Sequence, residues 1–260
     1  MSINNHWQIF PKQEKISEKI GKLLNCLPII GQLLINRNIK NITEADQFIN
    51  PNWTSFPELP NHNDYHKEIS KLIKNKSTIC VYGDYDADGV TSITIMVQIL
   101  RKSGCTVDFI APHRLNDGYG LNSNRVAEIA RKNYDALITL DCGISNKHEI
   151  DELLSLNPKI KVLIIDHHKC PKELPNATVI INPQLADENH PARDLCTAGI
   201  IDYLFRAKPI DNINIDDYSD LVAIGLVADV MPLVHLNRWY VKKGISDIQT
   251  NPRQAIIELC

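Results

Sequence analysis

Residues 78–89 read Thr78-Ile79-Cys80-Val81-Tyr82-Gly83-Asp84-Tyr85-Asp86-Ala87-Asp88-Gly89. A β-rich apolar run, Thr78–Tyr82, stops at a glycine and then at three carboxylates on alternate positions, and a helical pattern follows near 90–102. The same rhythm recurs downstream. β-rich runs at Thr106–Ile110, Ala136–Leu140, Val162–Ile165 and Thr178–Ile181 alternate with helical stretches near 123–133 and 145–156. Such alternation predicts a parallel sheet covered on both faces, because each parallel crossover must travel over the sheet, and does so right-handedly. The expected fold class is α/β, a doubly wound, mostly parallel sheet flanked by helices, with a helical N-terminal leader and a helical C-terminal end.

The leader, residues 1–77, reads as helical and irregular. Ile16, Ile20, Leu23, Leu24 and Leu27 follow helical spacing, and Thr43 precedes Glu44-Ala45-Asp46 as an N-cap would. Proline-rich residues 50–60 read as a linker, and 64–74 as a further helix with Tyr65, Ile69, Leu72 and Ile73 on one side. No chemistry concentrates there, so a packing or capping role is expected. Residues 197–259 read as mostly helical. The expected divisions are a leader over 1–77, a catalytic domain over 78–235 and the start of a linker helix over 236–260.

The chain has 260 residues, enough for one large or two modest domains at about 150 residues each. Its 28 basic and 31 acidic side chains leave a net charge of −3, which argues against a strongly basic nucleic-acid coat while allowing local basic grooves and metal-bridged phosphate contacts. With 43% hydrophobic and 23% charged residues, a disordered or fibrous chain is excluded. The seven cysteines form no C-x-x-C pair, which argues against zinc. Cys80, Cys105 and Cys142 lie in or beside apolar runs, as small core residues of a reduced protein do. The opening residues lack the apolar core of a signal peptide, and no run approaches the ~20 apolar residues of a membrane span. A cytoplasmic protein without membrane partners is expected.

Three apolar runs end in acidic residues: Asp84, Asp86 and Asp88 after the first, Asp141-Cys142-Gly143 after the third, Asp166-His167-His168 after the fourth. Asp229, after the apolar helix around Leu221–Val227, is a fourth candidate. Parallel strands present their C-terminal ends on one edge, so residues distant in sequence should converge there. A lone aspartate after a strand is most often a helix cap or turn former, and Asp84 taken alone fits that description. Asp-Ala-Asp-Gly lacks the remaining ligands of a calcium loop. Several carboxylates on one rim, however, repel one another unless a cation or a proton intervenes. Carboxylate and imidazole ligands without thiolate suit two divalent cations, Mn2+ favoured and Mg2+ as the alternative. Paired ions about 3.5–4 Å apart clamp a phosphate and activate water for in-line attack.

Gly-Asp-Tyr-Asp-Ala-Asp-Gly, Asp-Cys-Gly, Asp-His-His and Ala-Asp-Val-Met-Pro-Leu, in this order, resemble the four motifs of the DHH phosphoesterase superfamily. The likeness extends to the RecJ family of single-strand-specific 5′→3′ exonucleases through Pro112-His113-Arg114, Asp117-Gly118-Tyr119-Gly120-Leu121, Ile181-Asn182-Pro183, Thr197-Ala198-Gly199, Asn237-Arg238 and the leader segment Ala45-Asp46-Gln47-Phe48-Ile49-Asn50-Pro51. This resemblance covers nearly the whole chain. It implies Asp86, Asp88, Asp141, His167 and Asp229 as metal ligands, with Asp141 bridging two ions. Asp84 enters as a further ligand or as a carboxylate behind the ligands. It places His168 nearer the substrate phosphate, Asp166 as the carboxylate orienting the histidines, and Arg114, assisted by His113, on a phosphate. The implied activity is metal-dependent hydrolysis of single-stranded DNA from the 5′ end to 5′-mononucleotides in DNA repair and recombination. Single-stranded DNA is the implied partner, with a helicase or a single-strand-binding protein as candidate protein partners. Alternatives are a DHH phosphoesterase acting on short oligonucleotides or cyclic dinucleotides, and a non-catalytic nucleic-acid- or protein-binding module. The family also carries a glycine- and histidine-rich substrate motif and an oligonucleotide-binding fold. No Gly-Gly-His occurs in this chain, and the usual C-terminal domains are expected to be absent from it.

Overall fold

A computed structural model describes residues 9–113 and 120–259. They divide into two compact units, Met1–Trp53 and Thr54–Cys260. In the first unit, α1 (Glu14–Leu23), α2 (Pro28–Asn36) and α3 (Ile42–Ile49) enclose Ile20, Leu34, Ile35 and Ala45. The helical spacing from Ile16 to Leu27 does not mark one helix. α1 stops at Leu23, and Pro28 opens α2 at the first helical position, where its missing N–H costs nothing. Ile20 is buried, whereas Leu23 and Leu27 are exposed. Asn41, not Thr43, caps α3, its side chain accepting from the Glu44 amide at 2.8 Å. Asparagine serves that position at least as well as threonine.

The second unit runs α4 (His62–Lys74), β1 (Thr78–Gly83), α5 (Ala87–Lys102), β2 (Thr106–Ile110), α6 (Ser123–Arg131), β3 (Ala136–Leu140), α7 (Lys147–Leu156), β4 (Lys161–Ile165), β5 (Val179–Ile181), α8 (Thr197–Ala207), α9 (Ser219–Ala228), α10 (His235–Thr250) and α11 (Gln254–Leu259). The five strands lie in the order β2-β1-β3-β4-β5 and every pair is parallel. Central strands buried on both faces are nearly all apolar, as β3 (Ala-Leu-Ile-Thr-Leu) is, Thr139 being its one polar side chain. One sheet face packs Cys80, Tyr82, Leu137, Val162 and Ile164 against Val126 and Ile129 of α6 and Ile150 and Leu153 of α7. α5 contacts β1, β2 and β3, and α8 and α9 pack beside α5. The six described cysteines are free thiols, with Cys80, Cys105 and Cys142 buried as expected. Among the described residues no helix is long and apolar enough to cross a membrane.

After β1 the chain moves to β2 on one side, then returns to β3 on the other. The crevice outside the C-terminal ends of β1 and β3 is therefore a topological switch point, where open α/β sheets bind ligands.

α4, grouped with the leader by the sequence, belongs by its packing to the second unit. Tyr65 and His66 meet the Phe205 ring at 6.3 and 6.2 Å between centroids, and His66 Nε2 donates to the Leu204 carbonyl at 3.1 Å. His62 stacks on His66 at 4.5 Å, with Glu58 and Lys208 nearby. Burial, then the neighbouring His62, pushes the His66 imidazole down to about 4. A histidine in the unfolded chain titrates near 6.5, so the unfolded state takes up its proton first, and this stability is lost as pH falls from about 6.5 toward 4. Between pH 7 and 5 the wild type should lose about 1–2 kcal/mol more stability than His66→Gln. Urea titrations at the two pH values check this; parallel losses would show that His66 does not titrate there.

Arg206, near the end of α8, joins several elements. Its Nε donates to the fully buried Asp202 at 2.5 Å and its Nη2 to Asp216 at 2.7 Å. Its guanidinium lies 5.1 Å from the Trp239 ring and 6.0 Å from those of Phe56 and Tyr240. Trp239 is thus a packing residue.

Candidate metal centre

The turn after β1 sends its three carboxylates to different tasks. Asp84 is buried and its Oδ1 accepts the Tyr85 amide at 2.8 Å. Asp86 is the N-cap of α5: its Oδ1 accepts the Gly89 amide at 2.9 Å, which is why that helix begins at Ala87 rather than near 90. A Cβ on Gly89 would stand 2.4 Å from the Asp84 carbonyl oxygen, so this turn requires glycine. Asp88 is buried, and its two oxygens accept the Thr197 and Ala198 amides at 2.7 and 3.0 Å. Those amides open α8, so Asp88 meets the positive end of its dipole. Gly225 of α9 leaves room for it, since a Cβ there would lie 2.7 Å from Asp88 Oδ1.

β3 delivers Asp141, whose φ of +61° is a left-handed conformation that aspartate tolerates better than most residues. β4 delivers Asp166, His167 and His168. Asp166 accepts the Ile144 and His168 amides at 3.0 Å each and the His168 Nδ1 proton at 2.8 Å. Asn182 Nδ2 donates to the His168 carbonyl at 2.9 Å. Asp229 is the C-cap of α9, followed by Val230 at φ +56°, where a β-branched residue is strained. Asn237 holds the ensuing loop by donating to the Asp194 and Pro232 carbonyls.

These side chains assemble into two groups, each with one potential ligand atom per residue within 4.8 Å: Asp84, Asp86 and Asp141, and Asp141, His167 and His168. Asp141 belongs to both. His167 Nε2 lies 3.2 Å from Asp141 Oδ1 and 3.5 Å from Asp229 Oδ2, which adds Asp229 to the second group's edge. Asp88 stands outside both groups, on the α8 amides.

The electrostatics show strain that a cation relieves. Burial, then the Asp88 and Asp86 carboxylates, push the Asp141 carboxyl up to about 10. Burial raises Asp84 and Asp229 as well. Asp166 goes the other way: burial opposes it, but the hydrogen bond and charge of His168 and the two amides hold it below the usual carboxylate range. Its hydrogen bond in turn raises His168. His167 Nε2 is buried without a hydrogen-bond partner among the described residues, facing two carboxylates. An orphaned imidazole nitrogen among crowded carboxylate oxygens fits a divalent cation of the Mn2+ or Mg2+ kind.

His113 is exposed, and Arg114 lies outside the described residues, so its expected phosphate contact has no structural description. The sequence assigned no role to Thr197, Asn182 or Gly225. The first two sit in segments already noted for their resemblance, and that was their one visible signal.

The family model described as DHH family, N-terminal domain, matches residues 78–226. The chain is 31% identical over 257 residues to the single-stranded-DNA-specific exonuclease RecJ of Bacillus subtilis, covering 97% of this chain and 32% of that protein. It is 35% identical over 259 residues to RecJ of Haemophilus influenzae, covering 92% and 44%. Among solved structures, an exonuclease RecJ bound to manganese superposes with a TM-score of 0.68 at 33% identity, over 75% of this chain and 50% of that one. RecJ from Thermus thermophilus in complex with Mn2+ gives 0.71 at 27% identity, over 90% and 33%. The chain thus spans 32% to 50% of the length of these four relatives.

Proposed function

This chain belongs to the DHH family, and from that premise we propose that it carries the metal centre of a phosphodiesterase resembling RecJ, hydrolysing single-stranded DNA from the 5′ end to 5′-mononucleotides with two divalent cations, Mn2+ favoured over Mg2+. The supporting observation is Asp141, shared by two ligand groups at the switch point, beside a buried and unpartnered His167 Nε2. In this reading Asp86 and Asp141, with Asp84, hold one cation; Asp141 and His167, with Asp229 at the edge of their group, hold the other, and His168 is left for the phosphate. Asp88, which stands outside both groups, is the proposed further ligand: each of its oxygens accepts one α8 amide and retains another lone pair. When bound, the cations supply Lewis-acid stabilisation of phosphoryl charge and activation of the attacking water.

The chain's own groups orient the phosphate. His168 is half-exposed and held in one tautomer by Asp166, so its ring proton on Nδ1 points to that carboxylate. Asp166 raises its proton affinity, and Nε2, the ring nitrogen that Asp166 does not engage, is the one left to face a phosphoryl oxygen. Arg114 and His113 are the proposed further phosphate contacts.

The test is degradation of a 5′-labelled single-stranded oligonucleotide, beside its duplex and a dinucleotide, with Mn2+, Mg2+ or a chelator. Metal-dependent release of labelled mononucleotide from the single strand is expected. Cleavage confined to the dinucleotide would replace this substrate with a short one, and DNA binding without turnover would replace the enzyme with a binding module.

A further inference from the structure

Thr197 touches the centre twice. Its amide donates to Asp88 Oδ2 at 2.7 Å, and its hydroxyl lies 3.3 Å from Asp141 Oδ1. Thr197 is fully buried, in the first position of an eleven-residue helix. Asp88 lies in the first turn of α5 and Asp141 directly follows β3, and α8 contacts both carboxylates. Asp141 Oδ1 is also the oxygen nearest His167 Nε2. A carboxylate turning about its terminal bond has a broad, roughly two-fold torsional well, so unless another group holds it, its plane is loosely set. The Thr197 hydroxyl donates to one oxygen of Asp141 and so bears on that plane, and with it on the directions of the remaining Asp141 lone pairs.

Asp88 is fixed by two backbone amides, which no side-chain change at 197 removes, whereas the contact of Thr197 with Asp141 runs through its hydroxyl. We propose that Thr197 is a positioning residue of the metal centre, its hydroxyl orienting the Asp141 carboxylate so that one side chain serves both ligand groups. This rests on the reading of the cluster as a metal centre and adds a residue to it. Because Thr197 acts through Asp141, its effect should appear first in metal binding. Groups that hydrogen-bond a ligand typically control metal affinity by about 10–100-fold.

The experiment compares wild type, Thr197→Val, Thr197→Ser and Thr197→Ala in Mn2+ binding followed by calorimetry and electron paramagnetic resonance, without DNA. Valine keeps the shape and the backbone amide but not the hydroxyl; serine keeps the hydroxyl. Thr197→Val and Thr197→Ala are expected to weaken Mn2+ binding at least about 10-fold and to change the Mn2+ spectrum, and Thr197→Ser to restore both. Metal-free melting temperatures identify any variant that fails to fold; alanine replaces valine if valine fails. Wild-type affinity in a folded variant without the hydroxyl, or a serine variant as weak as valine, overturns the proposal. Failure of the wild type itself to bind Mn2+ would instead overturn the metal-centre reading.

Discussion

Replacing Asp141 by Asn should lower the proposed metal-dependent hydrolysis by about a thousandfold or more, because the proposed ligand common to both groups is lost and Lewis-acid stabilisation is worth several kcal/mol. The same change should leave the metal-free protein at least as stable as wild type. Burial and two neighbouring carboxylates push Asp141 up to about 10 in the folded state, far above its value in the unfolded chain. A carboxyl raised on folding contributes stability that is present below the unfolded value and is lost as pH rises toward the folded one. With a chelator present, the variant should therefore gain on wild type from pH 5 to pH 9. With metal present the order reverses. A ligand at 100 times its Kd stabilises the wild type by about 2.7 kcal/mol, roughly 5–10 °C in a chain of this size, and the variant should miss that gain. Melting curves with and without Mn2+, beside the oligonucleotide assay, check both halves. Full activity in Asp141→Asn would refute the assignment.

The second large effect is on stability. Arg206→Met should cost about 3–5 kcal/mol, because it strands the buried Asp202 carboxylate in the packed interior. Burial pushes Asp202 up to about 6 even with the guanidinium beside it. The cation also lies among Phe56, Trp239 and Tyr240, so its removal opens a gap as well. The double variant Asp202→Leu/Arg206→Met should recover most of the loss, since removing both charges leaves no orphan. Urea midpoints measure this. A double variant no more stable than the single one would assign the loss to aromatic packing instead.

The sheet was largely legible because central parallel strands buried on both faces leave nearly unbroken apolar runs, as at 136–140, which matches β3 end for end; the edge strand β2, largely exposed and carrying Asp108, was legible at 106–110 by its β-rich composition. The strand ends led to the carboxylates by the same logic. Local competition was harder to see. Asp86 both caps α5 and faces the cluster, which alternate spacing cannot show. Asn41 outcompetes Thr43, and Pro28 divides what hydrophobic spacing joined. The hold of α8 on Asp88 and Asp141 links residues 109 and 56 positions apart, a distance no local pattern bridges. Residues 64–74 read correctly as a helix, but nothing local shows that Tyr65 and His66 meet Phe205.

The strand order has a kinetic consequence. β1 sits between β2 and β3, so Asp86 and Asp141 become neighbours only after two long crossovers have closed, and Asp229 arrives from a helix farther along still. Non-local pairing of this kind slows folding, since loop closure precedes any reward from contact. A nascent chain therefore has no preformed cage to load: the Asp84–Asp86 fragment alone presents two repelling anions. Metal capture falls late, after the barrier, so added Mn2+ should slow unfolding far more than it speeds refolding.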